Sequence, residues 1–120
     1  MAAIIDQLKK SKNNFEINKP SSSGGRAGNI TTPLDPIAAG NGIGSSAIIS
    51  YNPNEWDRNG VDWRDPFIGL AHELVHARDM DNGESDQSPD SDGVPKGEDS
   101  AVAGENGCRA AGGYLPRLKY

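Results

Sequence analysis

His72-Glu73-Leu74-Val75-His76 holds the only two histidines of the 120-residue chain. Four residues of helix advance about 6 Å and turn about 40° past a full circle, so both imidazoles leave one face. Two ring nitrogens placed in this way can meet one Zn²⁺ at about 2.0–2.1 Å each. Glu73, about 100° further round the helix, is near enough to reach a water on that metal without being a ligand. An HExxH motif on a helix therefore reads as the site of a zinc-dependent hydrolase, with Glu73 as general base. The bland alternative is a core helix with polar passengers, and it demands burial of two imidazoles and a carboxylate without a partner, which is costly.

A catalytic zinc takes three protein ligands and leaves one position for water. With no third histidine in the chain, the remaining ligand is Asp, Glu, Cys or Tyr. The longer HExxHxxGxxH pattern is excluded, because Asp79 and Asn82 stand where it needs Gly and His. Asp79 shares the histidine face but lies a turn beyond His76, which suits orienting a ligand better than binding metal. Cys108 would complete a His₂Cys set, whereas His₂Glu is the usual set of peptidase zinc. Glu98 and Glu105 are the stronger candidates. Seven residues apart, they share one face of a helix over 98–111 with Val102 and Arg109, and Arg109 is within ion-pair reach of Glu105. Only one of the two glutamates can occupy the metal, and spacing alone does not choose between them.

The elements that must position these groups are partly marked. Asp65-Pro66 offers an N-cap followed by proline at the first helical position, and Gly83 offers a stop. Between them Phe67, Leu70, Leu74 and Ala77 form an apolar stripe while Ile68 and Val75 flank the histidines, so this helix is apolar nearly all round and buried. Gly69 leaves room one turn before the histidines. Residues 2–12 read as a short amphipathic helix with Ile4, Ile5 and Leu8 on one side. Residues 15–17 alternate as a brief strand, and 21–44 are mostly loop. Residues 46–51 are the best strand candidate, stopped by Asn52-Pro53, and are expected to form the edge on which an extended peptide pairs. Trp56 and Trp63 anchor a connecting loop over 54–64. Residues 81–97 read as a mobile acidic loop with Val94 as its apolar anchor. A helix over 98–111 ends at Gly112-Gly113, and 114–120 are extended.

The bulk composition limits the alternatives. Hydrophobic residues make up 34% of the chain, beside fifteen glycines and eight prolines, so a single domain with a modest core is expected, in which a bound metal adds stability. The net charge of −5 argues against nucleic acid as a partner. Acid is concentrated over 79–99, but no segment fits the spaced aspartates of an EF-hand, so no second metal is expected. Cys108 is the single cysteine, which excludes an internal disulfide. The first twelve residues lack the apolar run of a secretory signal, and no stretch approaches a membrane span.

The C-terminal half carries a further pattern. Glu98-Asp99-Ser100-Ala101-Val102-Ala103-Gly104 leads into Glu105-Asn106-Gly107-Cys108-Arg109-Ala110, then Gly113, Pro116-Arg117 and Tyr120. Together with His72 to Ala77, and with the upstream Ile48-Ile49-Ser50-Tyr51-Asn52-Pro53, this resembles the NleD-like zinc metallopeptidase effectors. Those are delivered by type III secretion systems and also occur as toxin tips of Rhs-type polymorphic proteins. Gly104 runs straight into Glu105 where family members usually carry extra residues, and Ala111 stands near a position that is commonly acidic. By analogy with Asn-Glu ligand pairs on the second helix of other zincins, the resemblance favours Glu105 as third ligand, with Glu98 as the alternative. It also places Arg117 and Tyr120 near the site, the phenol in reach of a tetrahedral oxyanion.

The expected protein is thus a small α+β zincin-like metallopeptidase domain spanning 1–120, with a short sheet on the HExxH helix. His72, His76 and Glu105 hold Zn²⁺, while Glu73 and Tyr120 act in cleavage of a target-cell protein. The resemblance implies export by a dedicated secretion system, with an immunity protein or secretion chaperone as a further partner. The competing classes are a zinc-stabilised or degenerate binding module and a non-peptidase zinc hydrolase.

Overall fold

The structure is a computed structural model and describes residues 1–19, 29–52 and 66–113. Trp56, Trp63, the Asp65 cap, Arg117 and Tyr120 fall outside those residues. Along the chain lie α1 (Ala2–Lys10), β1 (Phe15–Asn18), β2 (Ile30–Pro33), β3 (Ala47–Ser50), α2 (Pro66–Asp81) and α3 (Lys96–Ala111). Among the described residues this is a small α+β arrangement of three helices and one three-stranded sheet.

The motif helix α2 starts on Pro66, whose missing N–H is no loss at that position. It ends before Gly83, which has φ +70°, a conformation that favours glycine. The backbone of Gly42 presses so close that a Cβ on Gly83 would lie 2.5 Å from it. Ile68, Ala71, Leu74, Val75, Ala77 and Met80 are all buried, because α2 packs against α1, β2, β3 and, most extensively, α3. A helix enclosed on several sides is apolar nearly all round, as its sequence implied, except that Phe67, expected in the buried stripe, is exposed.

The sheet runs in the order β1-β3-β2. β1 pairs parallel to β3 with Ile17 opposite Ile49, and β2 pairs antiparallel to β3 with Thr31 opposite Ile49. Alternate residues of β3 point inward, and the fully buried Ile49 packs with Leu74 and Ala77 of α2. Two expectations need correction. β3 is the central strand with both edges paired, so it offers no edge to a peptide. β2 lies within a stretch read as loop, and it pairs only with β3 among the described residues. Its Pro33 is tolerated because an edge strand can spare an N–H.

Helix α1 contributes no fully buried residue. Met1, Ile4 and Leu8 lean on the Ile49–Leu74–Ala77 cluster, whereas Ile5 is exposed rather than sharing their packing. The helix is tied down at Asp81, whose carboxylate accepts from Gln7 Nε2 at 2.9 Å, from Asn13 Nδ2 at 2.9 Å and from the Ser11 hydroxyl. The segment between α2 and α3 is built from turns. Asp86 Oδ1 accepts the Ser88 N–H, and Asp90 Oδ1 accepts those of Asp92 and Val94. Helix α3 then buries Gly97, Ala101, Val102, Glu105 and Arg109 along one stripe. Its Gly104 meets Val75 so closely that an added Cβ would sit 2.4 Å from Val75 Cγ2. This close approach sets the distance between the histidines and the glutamates facing them.

Candidate metal centre

One face of α2 presents His72 and His76 to α3, with ring centroids 5.0 Å apart and planes at 67°. From the first turn of α3, Glu98 places Oε1 2.6 Å from His76 Nε2 and Oε2 3.4 Å from His72 Nε2. One ligand atom from each of His72, His76 and Glu98 lies within 4.8 Å of the others. Glu105, two turns further along α3, approaches His72 from its other side, with Oε1 2.9 Å from Nδ1. The second oxygen of Glu105 accepts from Arg109 Nε at 2.6 Å. The two glutamates therefore bracket a single imidazole. Sequence spacing correctly placed both on one face; which ring nitrogen each meets depends on how α3 docks on α2, and no spacing argument reaches that.

The other candidates are placed as follows. Glu73 is buried, and the hydroxyl of Thr31 on β2 lies 3.4 Å from its Oε1 and donates to its backbone carbonyl at 3.1 Å. No sequence signal marked Thr31, because its closeness to Glu73 exists only once β2 has joined the sheet. Asp79 is engaged by its neighbour, with Oδ1 accepting from Arg78 Nε and Nη2 at 3.2 and 3.1 Å. Cys108 is half-buried and outside the group of converging ligand atoms.

Electrostatics follow from this crowding. Burial drags the His72 imidazolium down, but the hydrogen bonds it donates to Glu105 and Glu98 and the charges of Glu73 and Glu105 outweigh it, raising its pKa to about 8. Burial pushes Glu73 above its ordinary value, and the nearby His76 and His72 only partly offset this. Burial opposes ionisation of Glu98 as well, yet hydrogen bonds from His72 and His76 prevail and hold it at about 2. Among the described residues, the Glu105 carboxylate pairs with the guanidinium of Arg109, while Glu98 faces the Nε2 atoms of both histidines. A divalent cation fits the donor set of two imidazole nitrogens and a carboxylate oxygen.

The arrangement can thus hold a metal through side chains of two helices and keep a buried carboxylate beside it. Comparison with known families gives a match to the Peptidase M91 model, described as effector protein, over residues 2–120. No curated protein matches the chain. An effector peptidase implies a protein substrate and points to delivery into host cells. Among the described residues no helix is long and apolar enough to cross a membrane. Since the match runs over nearly the entire sequence, motif and glutamate helix included, the chain belongs to the Peptidase M91 family of effector proteins, the NleD-like metallopeptidases that its C-terminal pattern resembles.

Proposed function

We propose that the protein is a zinc-dependent endopeptidase of zincin-like fold, one domain over residues 1–120, acting as an effector or toxin on proteins of a target cell. His72, His76 and Glu98 hold Zn²⁺. The observation that carries this reading is the convergence of their ligand atoms within 4.8 Å of one another. Glu98 takes the ligand place first assigned to Glu105, because it faces the Nε2 atoms of both histidines, while Glu105 meets His72 at Nδ1. When bound, Zn²⁺ supplies Lewis acidity to the scissile carbonyl and brings the pKa of water toward 7.

The chain's own groups do the rest. Glu73 accepts a proton from the attacking water on its side-chain carboxylate and returns it to the departing amine. Its raised pKa brings the carboxylate closer to the basicity useful near neutral pH. The Thr31 hydroxyl beside Oε1 limits rotation of that carboxylate. An extended substrate segment pairs along the side of β2 that is unpaired among the described residues, in the manner of strand addition. Tyr120 donates a hydrogen bond from its phenol to the oxyanion, and an immunity protein or secretion chaperone shields the site before delivery.

The test is Glu73→Gln. The variant is expected to keep its fold and about one zinc per chain by elemental mass spectrometry, while cleavage of target-cell proteins falls by about 10²–10⁴-fold, read by mass spectrometry of new N-termini. Undiminished cleavage would exclude the peptidase mechanism. A folded wild-type protein that takes up no zinc would leave a binding module in its place.

A further inference from the structure

We propose that Glu105 and Arg109 form a positioning pair that fixes the ring orientation and tautomer of His72, Glu105 being no ligand itself; this rests on the metal reading above. Glu105 is 0% exposed, and each of its oxygens has a distinct partner. Oε1 faces His72 Nδ1 at 2.9 Å, and Oε2 takes the Arg109 Nε–H at 2.6 Å. An ionised carboxylate offers only acceptors, so the bond at Nδ1 requires the proton on that nitrogen. When the second ring proton leaves to make way for a metal, it is Nε2 that is left with its lone pair, on the side where His76 Nε2 and Glu98 converge. Arg109 stands one helical turn beyond Glu105, the spacing at which side chains of a helix meet. Its grip on the second oxygen stops the carboxylate from turning away from the ring, and its charge compensates a carboxylate that water does not reach.

The two histidines are unequal in this respect. His76 meets Glu98 through Nε2, and no carboxylate engages its Nδ1 among the described residues. His72 is therefore the pre-set ligand, while His76 has its ring held less firmly. A carboxylate on the outer nitrogen of a metal-bound histidine typically strengthens metal binding about 10–100-fold.

The experiment measures zinc affinity by competition with a chromophoric chelator, together with the visible spectrum of the Co²⁺-loaded protein. The expected result for Glu105→Gln is one zinc per chain, bound about 10–100-fold more weakly, and a shifted Co²⁺ spectrum. Arg109→Lys should move in the same direction by less, since the charge remains while the fixed Nε contact is lost. In a His72→Ala background, Glu105→Gln should change zinc affinity no further, a result that general loosening of the helix would not give. Should Glu105→Gln fail to fold, Arg109→Lys and its combination with His72→Ala carry the decision. Wild-type affinity in both Glu105→Gln and Arg109→Lys would overturn the proposal. So would loss of zinc in Glu105→Ala with retention in Glu98→Ala, which would make Glu105 the ligand while sparing the peptidase reading. Absence of zinc from the wild type would remove both.

Discussion

The proton on His72 is the first thing a metal must displace. Its pKa of about 8 in the metal-free protein means that zinc competes with H⁺ at neutral pH. Apparent zinc affinity is expected to rise about tenfold per pH unit up to about 8 and then level off, which chelator competition between pH 6 and 9 will show. Glu98, held at about 2, is ionised throughout and adds no slope. Without metal the same groups set a stability window. The raised pKa of His72 stabilises the fold fully below its ordinary 6.5 and ceases to do so as pH rises through about 8. The raised pKa of Glu73 acts in the same direction. The depressed pKa of Glu98 stabilises above 4.5 and ceases to do so as pH falls through about 2. For His72 and Glu98 together the metal-free protein is most stable between about 4.5 and 6.5, and Glu73 favours the acid end of that window. At this scale the sequence was legible wherever one helix sets the geometry, as with His72, Glu73 and His76. It was silent on Thr31, and spacing did not choose between Glu98 and Glu105, although the family resemblance put Glu105 first; the meetings of all three with α2 are made by other elements.

Among the elements, the docking of α3 on α2 matters most, and at Gly104 the two helices approach closely. A valine there would be driven into Val75, whose branched side chain has little rotamer freedom in a helix. Gly104→Val is expected to lower stability by about 1–3 kcal/mol and to weaken zinc binding, with Val75→Ala in the same chain recovering part of both. Gly107, on the same helix, has nothing within 4 Å of an added Cβ. Gly107→Ala should instead raise stability by up to about 1 kcal/mol through helix propensity; thermal and urea unfolding of the pair separates crowding from propensity. Both long helices were legible because caps and apolar residues mark them locally, and they begin and end within two residues of expectation. The sheet was not. Ile30-Thr31-Thr32-Pro33 is four residues in a stretch rich in turn formers, and Ala47–Ser50 carries no mark telling a central strand from an edge.

For the molecule as a whole, the buried apolar set is rich in small side chains, among them Ala39, Ala47, Ala71, Ala77 and Ala101. Such a core leaves a large share of cohesion to whatever joins α2 to α3. Zinc at 1,000 times its dissociation constant would add about 4 kcal/mol, or upward of about 10 °C in melting temperature at this size. Differential scanning fluorimetry with zinc and with chelator should show that shift in the wild type and in Glu73→Gln, and lose it in Glu98→Ala. The small core was legible from composition, whereas the division of labour between apolar packing and the charged cluster required the fold.

The attachment of α1 carries a consequence of another kind. This helix leans on the body through half-buried side chains and through the donors gathered at one carboxylate, Asp81. Among the described residues these contacts are local, and they can part while α2, enclosed by its neighbours, stays whole. Native-state opening is then graded: backbone amides of α1 exchange with solvent through a low-energy detachment, and those of α2 wait for unfolding of the entire domain. The protein has a latch at its amino-terminal helix and a body built on its motif helix, and the latch can open without disturbing the two histidines.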